Sequence, residues 1–299
     1  MFYNMSKSEY SEEEAYLQLI RDIHTKGEDD EGRNGRVRCI FGANMRFSMK
    51  NNKIPILTSK RLAWKTCLKE LLWFISGNTN NKTLKAMNVH IWDGNSSREF
   101  LDSRGLVHLQ EDDLGPIYGF QWRHFNAEYK SCQDDYDNKG IDQLQQIIDA
   151  LKDPKERKSR RLIMSAWNPE QIGEMALPPC HVMCQFNVIG ENKLSCALYQ
   201  RSGDVGLGIP FNIASYSFLT CLLAKHCNLK PKEFIHFIGN AHIYEDHKEA
   251  LLEQINREPK KEPTLEITTQ RENIDDYVFT DFKIKNYNHD ETIKMEMRA

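Results

Sequence analysis

The chain has 299 residues, a formal net charge of −3 and a sequence pI near 6.4. That length holds one large domain or two ordinary ones, and the well-mixed charge argues against general affinity for nucleic acid or membrane surfaces. No apolar run reaches the roughly 18 residues of a membrane helix, and the N-terminus lacks the basic and apolar regions of a secretory signal.

Ser11 is placed to cap a helix over 12–25, with acidic residues in its first turn and Lys26-Gly27 at its end. Residues 27–35 read as a polar loop, followed by two short strands at 37–41 and 45–49. Arg33, on that glycine-flanked loop, is a candidate anion contact; a solvated loop arginine is the plainer alternative. A strong helix runs from Ser59 through Ile75 to Gly77. Its polar face carries Lys65 and Lys69. The i±3 and i±4 neighbours of Glu70 are Thr66, Cys67, Trp73 and Phe74, which sets the carboxylate at the edge of the apolar stripe. A carboxylate so placed has a raised pKa and can move protons, or it is an ordinary boundary residue.

Residues 88–92 read as a short strand. A long polar excursion at 93–113 and the loop 114–119 follow, then a second excursion at 126–140. Loops of that length in a compact domain usually serve a function or stay disordered. The next helix is 141–151. Beyond Asp153-Pro154, the run KERKSRR at 155–161 leads into a strand at 162–167. Arg160 and Arg161 abut that strand, so they can be held firmly enough to bind phosphate; the run is too short to indicate nucleic acid.

The most informative stretch is 175–212. Cys180 follows two prolines, and two strand-like runs, 182–189 and 193–200, flank the turn Gly190-Glu191-Asn192. Folding this hairpin back on itself sets Cys180 opposite Arg201 or a residue close after it. A guanidinium beside a thiol favours the thiolate and makes the sulfur a nucleophile. A lone cysteine in an apolar strand is more often a small core residue. Here the same short segment also collects Gln200, Arg201, Ser202 and Asp204, more polarity than a core strand end carries. A glycine-rich loop, 203–208, can approach a ligand closely. Pro210-Phe211-Asn212 then opens an apolar helix over 213–227.

Further on, 234–238 reads as a strand and 240–244, with His242 and Tyr244, as a loop with polar handles. A helix spans 247–256, strands 265–269 and 282–284, and a polar tail 287–299. The eight cysteines show no framework spacing and suit free thiols in a reducing compartment, the cytoplasm. Cys180 and Cys184 share a strand face about 13 Å apart, too far for one metal ion. There is no internal repeat or composition break, so the expectation is a single α+β domain with one large mixed sheet and helices packed on it. The chain lacks GxxxxGK[ST] and GxGxxG. A nucleophilic Cys, several anion-binding arginines, a semi-buried Glu and an Asn beside a glycine-rich loop describe covalent catalysis on a phosphorylated small molecule.

The motifs LPPCHVMCQF (177–186), LYQRSGDVGLGIPFNIASY (198–216), ELLWFISGNTN (70–80), DLGPIYGFQWRHF (113–125), SRRLIMSAWNP (159–169) and AHIYEDH (241–247) resemble those of the thymidylate synthase family over nearly the whole chain. The two long excursions look like those of its eukaryotic and eukaryotic-virus members. The resemblance implies a homodimer, with the sheet at its interface, that converts dUMP to dTMP using methylenetetrahydrofolate and no metal. It makes Cys180 the nucleophile on uracil carbon 6. Arg201 lowers the thiol pKa and, with Arg33, Ser202 and the partner subunit's copies of Arg160 and Arg161, holds phosphate. Gln200 orders the site, Asn212 reads the uracil edge, and His242 and Tyr244 hold the ribose. Glu70 and His181 move protons, Tyr118 aids proton removal at carbon 5, and Asp204 serves both substrates. Ile91, Trp92, Asn95, Leu207, Gly208 and Phe211 match folate-contacting positions. The tail, including Met297 and Ala299, is expected as a mobile lid over the folate, and residues 1–12 as a mobile extension.

The chain departs from the family pattern in three places. The arginine loop is one residue short, so Gly32 or Arg33 fits the family's arginine position. Gly239-Asn240 stands where Gly-Asp is usual. Arg298 is charged where small apolar residues are usual. Three other readings compete. A dCMP hydroxymethylase needs Asp in place of Asn212. A silent RNA-binding relative is expected to have lost Cys180, Arg201 or Asn212; the sequence itself carries no sign of RNA binding. A cysteine hydrolase needs a His activating the thiol, and His181, adjacent on a strand, points to the opposite face.

Overall fold

Alternation along one strand sets the frame: Phe234, His236 and Ile238 are buried while Phe237 between them is 45% exposed. This strand, β6 (Lys230–Tyr244), lies near the centre of the sheet in a computed structural model that describes residues 12–32 and 34–297. The N-terminal residues through Ser11, together with Arg33, Arg298 and Ala299, lie outside the described residues.

Six strands form one sheet in the order β1 (Glu28–Gly32), β2 (Gly35–Ser48), β6, β5 (Lys193–Asp204), β4 (His181–Ile189), β3 (Ile163–Ser165). Only β5 and β6 run parallel, so the sheet is mixed, as expected for the α+β class. The crossover between them is α7 (Gly208–His226), a helix apolar on almost every side and therefore buried. Against it packs α2 (Trp64–Ile75), with Trp64 and Phe218 rings 6.3 Å apart. The other helices are α1 (Glu14–Lys26), α3 (Asn81–Ala86), α4 (Arg98–Ser103), α5 (Tyr118–His124), α6 (Gln143–Lys152) and α8 (Lys248–Ile255). A separate hairpin joins β7 (Thr264–Ile267) to β8 (Phe282–Lys285). The opposite face of the large sheet is uncovered: Phe237, Tyr199 and Met183 lie in one row across β6, β5 and β4, with Ile163 of β3 also exposed.

Several elements differ from the sequence expectation, each for a local reason. The two short strands at 37–49 are one strand, because Gly42 at φ 86° bends the chain without changing its register against β6. The polar loop after α1 is partly an edge strand, held to β2 by cross-strand ion pairs Asp29–Arg38 and Glu31–Arg36. Residues 240–244 continue β6 because they pair with β2 on one side and β5 on the other. Residues 88–92 form turns rather than a strand, α4 lies in the excursion at 93–113, α5 begins within the loop at 114–119, and α3 lies in a stretch given no element. Asn80 and Ser97 cap α3 and α4. The apolar helix starts at Gly208, since the first-turn position of Pro210 needs no N–H partner.

The helix expected from Ser59 begins at Trp64 because Ser59 is committed elsewhere. The buried Glu13 carboxylate accepts from Thr58 N and Oγ1 (both 2.7 Å), Ser59 N (3.0 Å) and Ser59 Oγ (2.5 Å). This ties the start of α1 to the loop before α2. The same loop holds the tail: the Tyr287 hydroxyl donates to Leu57 O and accepts from Leu62 N (2.8 Å each), and Asp290 N donates to Thr58 O (2.8 Å). Replacing Glu13 with Ala strands two buried N–H groups and two hydroxyls, so Glu13→Ala is expected to lower unfolding free energy by about 3 kcal/mol or more. Urea unfolding measures this; a loss under about 0.5 kcal/mol, typical of a surface change, would refute the anchoring role.

Candidate active site

The hairpin β4–β5 positions the thiol. Its register runs Phe186↔Cys196 and Met183↔Tyr199, then slips by one at a bulge to His181↔Gln200. The next residues back are Cys180 and Arg201, and Arg201 N donates to Cys180 O at 2.9 Å. The expected juxtaposition is therefore present. The Arg201 side chain is fixed by the two residues before the cysteine: Nε donates to Pro179 O (3.0 Å) and Nη2 to Pro178 O (2.9 Å), while the guanidinium lies 5.8 Å from the centre of the Trp167 ring. A guanidinium has five donors, so others remain for an anion. All eight cysteines are thiols, and Cys180 is half-buried where Cys184 and Cys196 are buried.

Behind the thiol is a dry aromatic box. Cys180 N donates to the Tyr118 hydroxyl at 2.8 Å. The Tyr118 ring stacks on Phe74 (4.9 Å between centroids) and also meets Trp92 (6.0 Å) and His181 (5.1 Å). Glu70 is buried there and accepts from Trp92 Nε1 at 2.7 Å. Burial raises its pKa from an ordinary 4.5 to about 7, the Trp92 bond opposing part of the rise. Burial acts oppositely on His181, lowering its pKa to about 4 despite a hydrogen bond with Asn212, so the ring is neutral near pH 7. The Tyr118 phenol is raised well above 10, chiefly by burial, and stays protonated. The box thus holds one acid poised at neutral pH among groups that keep their charge state.

Beside it lies a set of amides. The buried Gln200 Nε2 donates to Ser202 O and Asn212 Oδ1, both at 2.9 Å, and Gln200 Oε1 faces His236 Nε2 at 2.8 Å. Asn212 sits near the start of α7, and Asp204 fixes the approach to that helix by accepting from Gly206 N (2.8 Å) and Leu207 N (3.1 Å). Gly203 allows the tight packing, since a Cβ there would lie 2.3 Å from Ile209 Cδ1. His242 of β6 is directly across from Asp204. Its Nδ1 donates to Asn240 Oδ1 at 3.0 Å, which leaves Nε2 as an acceptor, and its pKa is lowered mainly by burial. The Tyr244 ring is 5.2 Å from His242. The amide at Asn240, where the family pattern has Asp, still orients the imidazole.

Trp92, Ile91 and Asn95 lie in the turns after α3, and Asn95 Nδ2 is buried without a protein partner. Leu207, Gly208 and Phe211 open α7. Met297 is 62% exposed, whereas Ile293 is buried and His247 Nε2 donates to Glu296 O at 2.8 Å. Arg160 and Arg161 are exposed and are not brought to Cys180. Leu162 O accepts from Phe186 N, so these arginines lie beyond Phe186 on β4, roughly 20 Å from the thiol at ordinary strand rise. Arg33 and Ala299 lie outside the described residues. Among the described residues, no group of three His, Cys, Asp or Glu is arranged to hold a metal ion.

Three residues escaped the sequence reading. Lys60 is buried, donates to Gly206 O at 2.6 Å, and has a pKa lowered by burial to about 8. His247 is buried 3.6 Å from Asp204. His236 lies under Gln200. Only His236 left a signal: an imidazole at an inward position of an otherwise apolar strand.

The thymidylate synthase family model matches residues 14–299. Human thymidylate synthase is 52% identical over 94% of this chain and 89% of its own length. A putative bifunctional dihydrofolate reductase-thymidylate synthase of Oryza sativa is 51% identical over 97% of this chain, and the bifunctional enzyme of Plasmodium chabaudi 50% over 99%. The chain spans 58% and 50% of those two bifunctional relatives.

The buried Glu70 also leaves a mark on stability. Its folded pKa is raised, so the stability it contributes is fully present below pH 4.5 and is lost as pH rises through about 7. The stability of Glu70→Gln relative to wild type should therefore climb by roughly 3 kcal/mol over that window, the size of the pKa shift. Denaturant melts of both proteins across the range measure it; parallel pH profiles would show that the carboxyl is not perturbed.

Proposed function

The chain belongs to the thymidylate synthase family, and from that premise we propose that it converts dUMP to dTMP, with methylenetetrahydrofolate as one-carbon donor and reductant and dihydrofolate as the second product. The observation that carries this reading is the pairing of Cys180 with Arg201 at the end of the hairpin, next to Gln200, whose side chain bonds the Asn212 carboxamide. Cys180 adds to carbon 6 of uracil, which turns carbon 5 into an enolate-like nucleophile. Arg201 holds the phosphate and favours the thiolate, with Ser202 a second phosphate contact and Arg33 a third. Asn212 donates to the carbonyl at carbon 4 and accepts from the ring N–H, while His242 and Tyr244 bind the ribose. The folate supplies the one-carbon unit and the hydride. Glu70, protonated half the time near pH 7, exchanges protons with the base and the folate ring, and neutral His181 and Tyr118 keep that exchange local. Tyr118 also helps remove the carbon-5 proton. The folate packs on Ile91, Trp92, Asn95, Leu207, Gly208 and Phe211, and Asp204 with the last residues, Met297 through Ala299, closes the site over it.

The active form is a homodimer joined across the uncovered sheet face. Two observations support this: the apolar row of Phe237, Tyr199 and Met183, and the distance of Arg160 and Arg161 from their own Cys180. Across a two-fold axis those arginines reach the partner's phosphate. The enzyme works in the cytoplasm as one domain, and none of its described helices is long and apolar enough to cross a membrane.

Tritium release from carbon-5-labelled dUMP tests the chemistry. Wild type should release tritium only with methylenetetrahydrofolate and in step with dihydrofolate, and Cys180→Ser should fall by at least about 1,000-fold. No release by wild type would sink the proposal. Subunit mixing tests the assembly. Cys180→Ser and Arg160→Ala/Arg161→Ala proteins, each inactive alone, should regain about a quarter of wild-type activity when unfolded together and refolded, since half the dimers then carry one intact site. No recovery from a correctly mixed dimer would place the arginines outside the partner's site.

A further inference from the structure

Strand β6 carries one imidazole into the core that the proposed chemistry does not use. His236 is fully buried, with its ring 5.4 Å from Phe234 and its Nε2 2.8 Å from Gln200 Oε1. We propose that His236 is a positioning residue that fixes the hydrogen-bonding sense of Asn212, and with it the choice of a uracil edge over a cytosine edge. The inference rests on the dUMP reading above and assigns the specificity of that site to a residue outside it.

The chain of constraints starts from the backbone. Ser202 O can only accept, so the group of Gln200 that faces it must be the amide nitrogen. The same nitrogen donates to Asn212 Oδ1. Gln200 Oε1 therefore faces His236, and His236 must donate from Nε2. Its Nδ1 then carries no proton, and that atom is buried without a partner. The opposite tautomer would bury an N–H with no acceptor, which proteins tolerate less well than an unused lone pair. It would also let Gln200 turn over and set its oxygen against two acceptors, Ser202 O and Asn212 Oδ1. The imidazole stays neutral because burial, reinforced by the nearby His181, holds its pKa near 3. A neutral, single-tautomer donor thus locks Gln200, and Gln200, beside the second partner His181, holds the oxygen of Asn212 on its own side, which leaves Nδ2 as the donor of that amide. That sense matches the carbonyl at carbon 4 and the ring N–H of uracil. Cytosine presents the reverse pattern at both positions and would need the Asn212 amide turned over.

The test compares dissociation constants for dUMP and dCMP in wild type, His236→Phe, His236→Gln and His236→Asn. Phe keeps bulk but has no donor. The Gln amide nitrogen falls near the place of Nε2, and the Asn amide is too short to reach it. The dUMP preference should drop about 10-fold or more in His236→Phe and His236→Asn and stay within about threefold of wild type in His236→Gln, since loss of one polar lock relaxes discrimination on that scale. kcat with saturating dUMP should change less than the preference. Equal weakening of both nucleotides in His236→Phe, with the ratio intact, would reduce His236 to a packing residue and overturn the proposal. If His236→Phe does not fold, an Asn variant with the same ratio as the Gln variant overturns it equally. A wild-type protein with no dUMP preference would sink the substrate reading itself, and this inference with it.

Discussion

The site depends on one backbone register. Arg201 N bonds Cys180 O because the β4–β5 hairpin pairs as it does, with a single slip between His181 and Met183. From that pairing the rest follows in order. The prolines before the cysteine turn their carbonyls to the guanidinium, which can then neither swing away nor collapse onto the sulfur. Around Arg201 the strand delivers Gln200 on its inner side and Ser202 and Asp204 toward its end, and Asp204 launches α7 so that Asn212 faces Gln200. Cys180, Arg201 and Asn212 thus belong to one hairpin and the start of the helix that follows it.

Dryness supplies what geometry alone does not. The same desolvation moves Glu70 up to about 7 and His181 down to about 4, so two neighbouring groups with ordinary values near 4.5 and 6.5 exchange their order. The carboxyl becomes the group that changes state at neutral pH, and the imidazole becomes a fixed neutral partner. Phe74, Trp92 and Tyr118 create this condition by closing the box on three sides, and the Trp92 indole keeps the Glu70 carboxylate from being driven further. A polar substitution of Phe74 or Trp92 would shift the balance at Glu70 without replacing a titrating group.

Much of this was legible in the sequence. Pro-Pro-Cys, the Gly190 turn and the polar strand end set Cys180 opposite Arg201 or a residue close after it, because hairpin pairing follows from local turn chemistry and a period of two. Glu70 was legible as a boundary residue but not as a buried one, since its cover comes from Trp92 and Tyr118, far along the chain. The edge strand β1 has no apolar alternation to read; its pairing rests on ion pairs to β2. Residues 240–244 read as a loop because they carry polar site groups, yet they are held between two strands. Ser59 looked like a helix cap, but the buried carboxylate of Glu13 claims it. Apart from β1, whose partner strand is adjacent, the missing information was a partner distant in sequence.

The turn Gly190-Glu191-Asn192 sits at the exposed far end of the hairpin, where Gly190 takes φ 66°. Surface turns ordinarily accept insertions and deletions with little effect. This one acts as a ruler for the molecule. A single residue gained or lost there moves every pairing between β4 and β5 by one and turns over the faces of the strand that slips. Cys180 would then miss Arg201, and Met183 or Tyr199, whichever strand slips, would turn from the outer face toward the core. Natural variants of this protein should therefore vary freely in the identity of Glu191 and Asn192 but hold the length of that turn fixed, although no atom of it comes near the thiol.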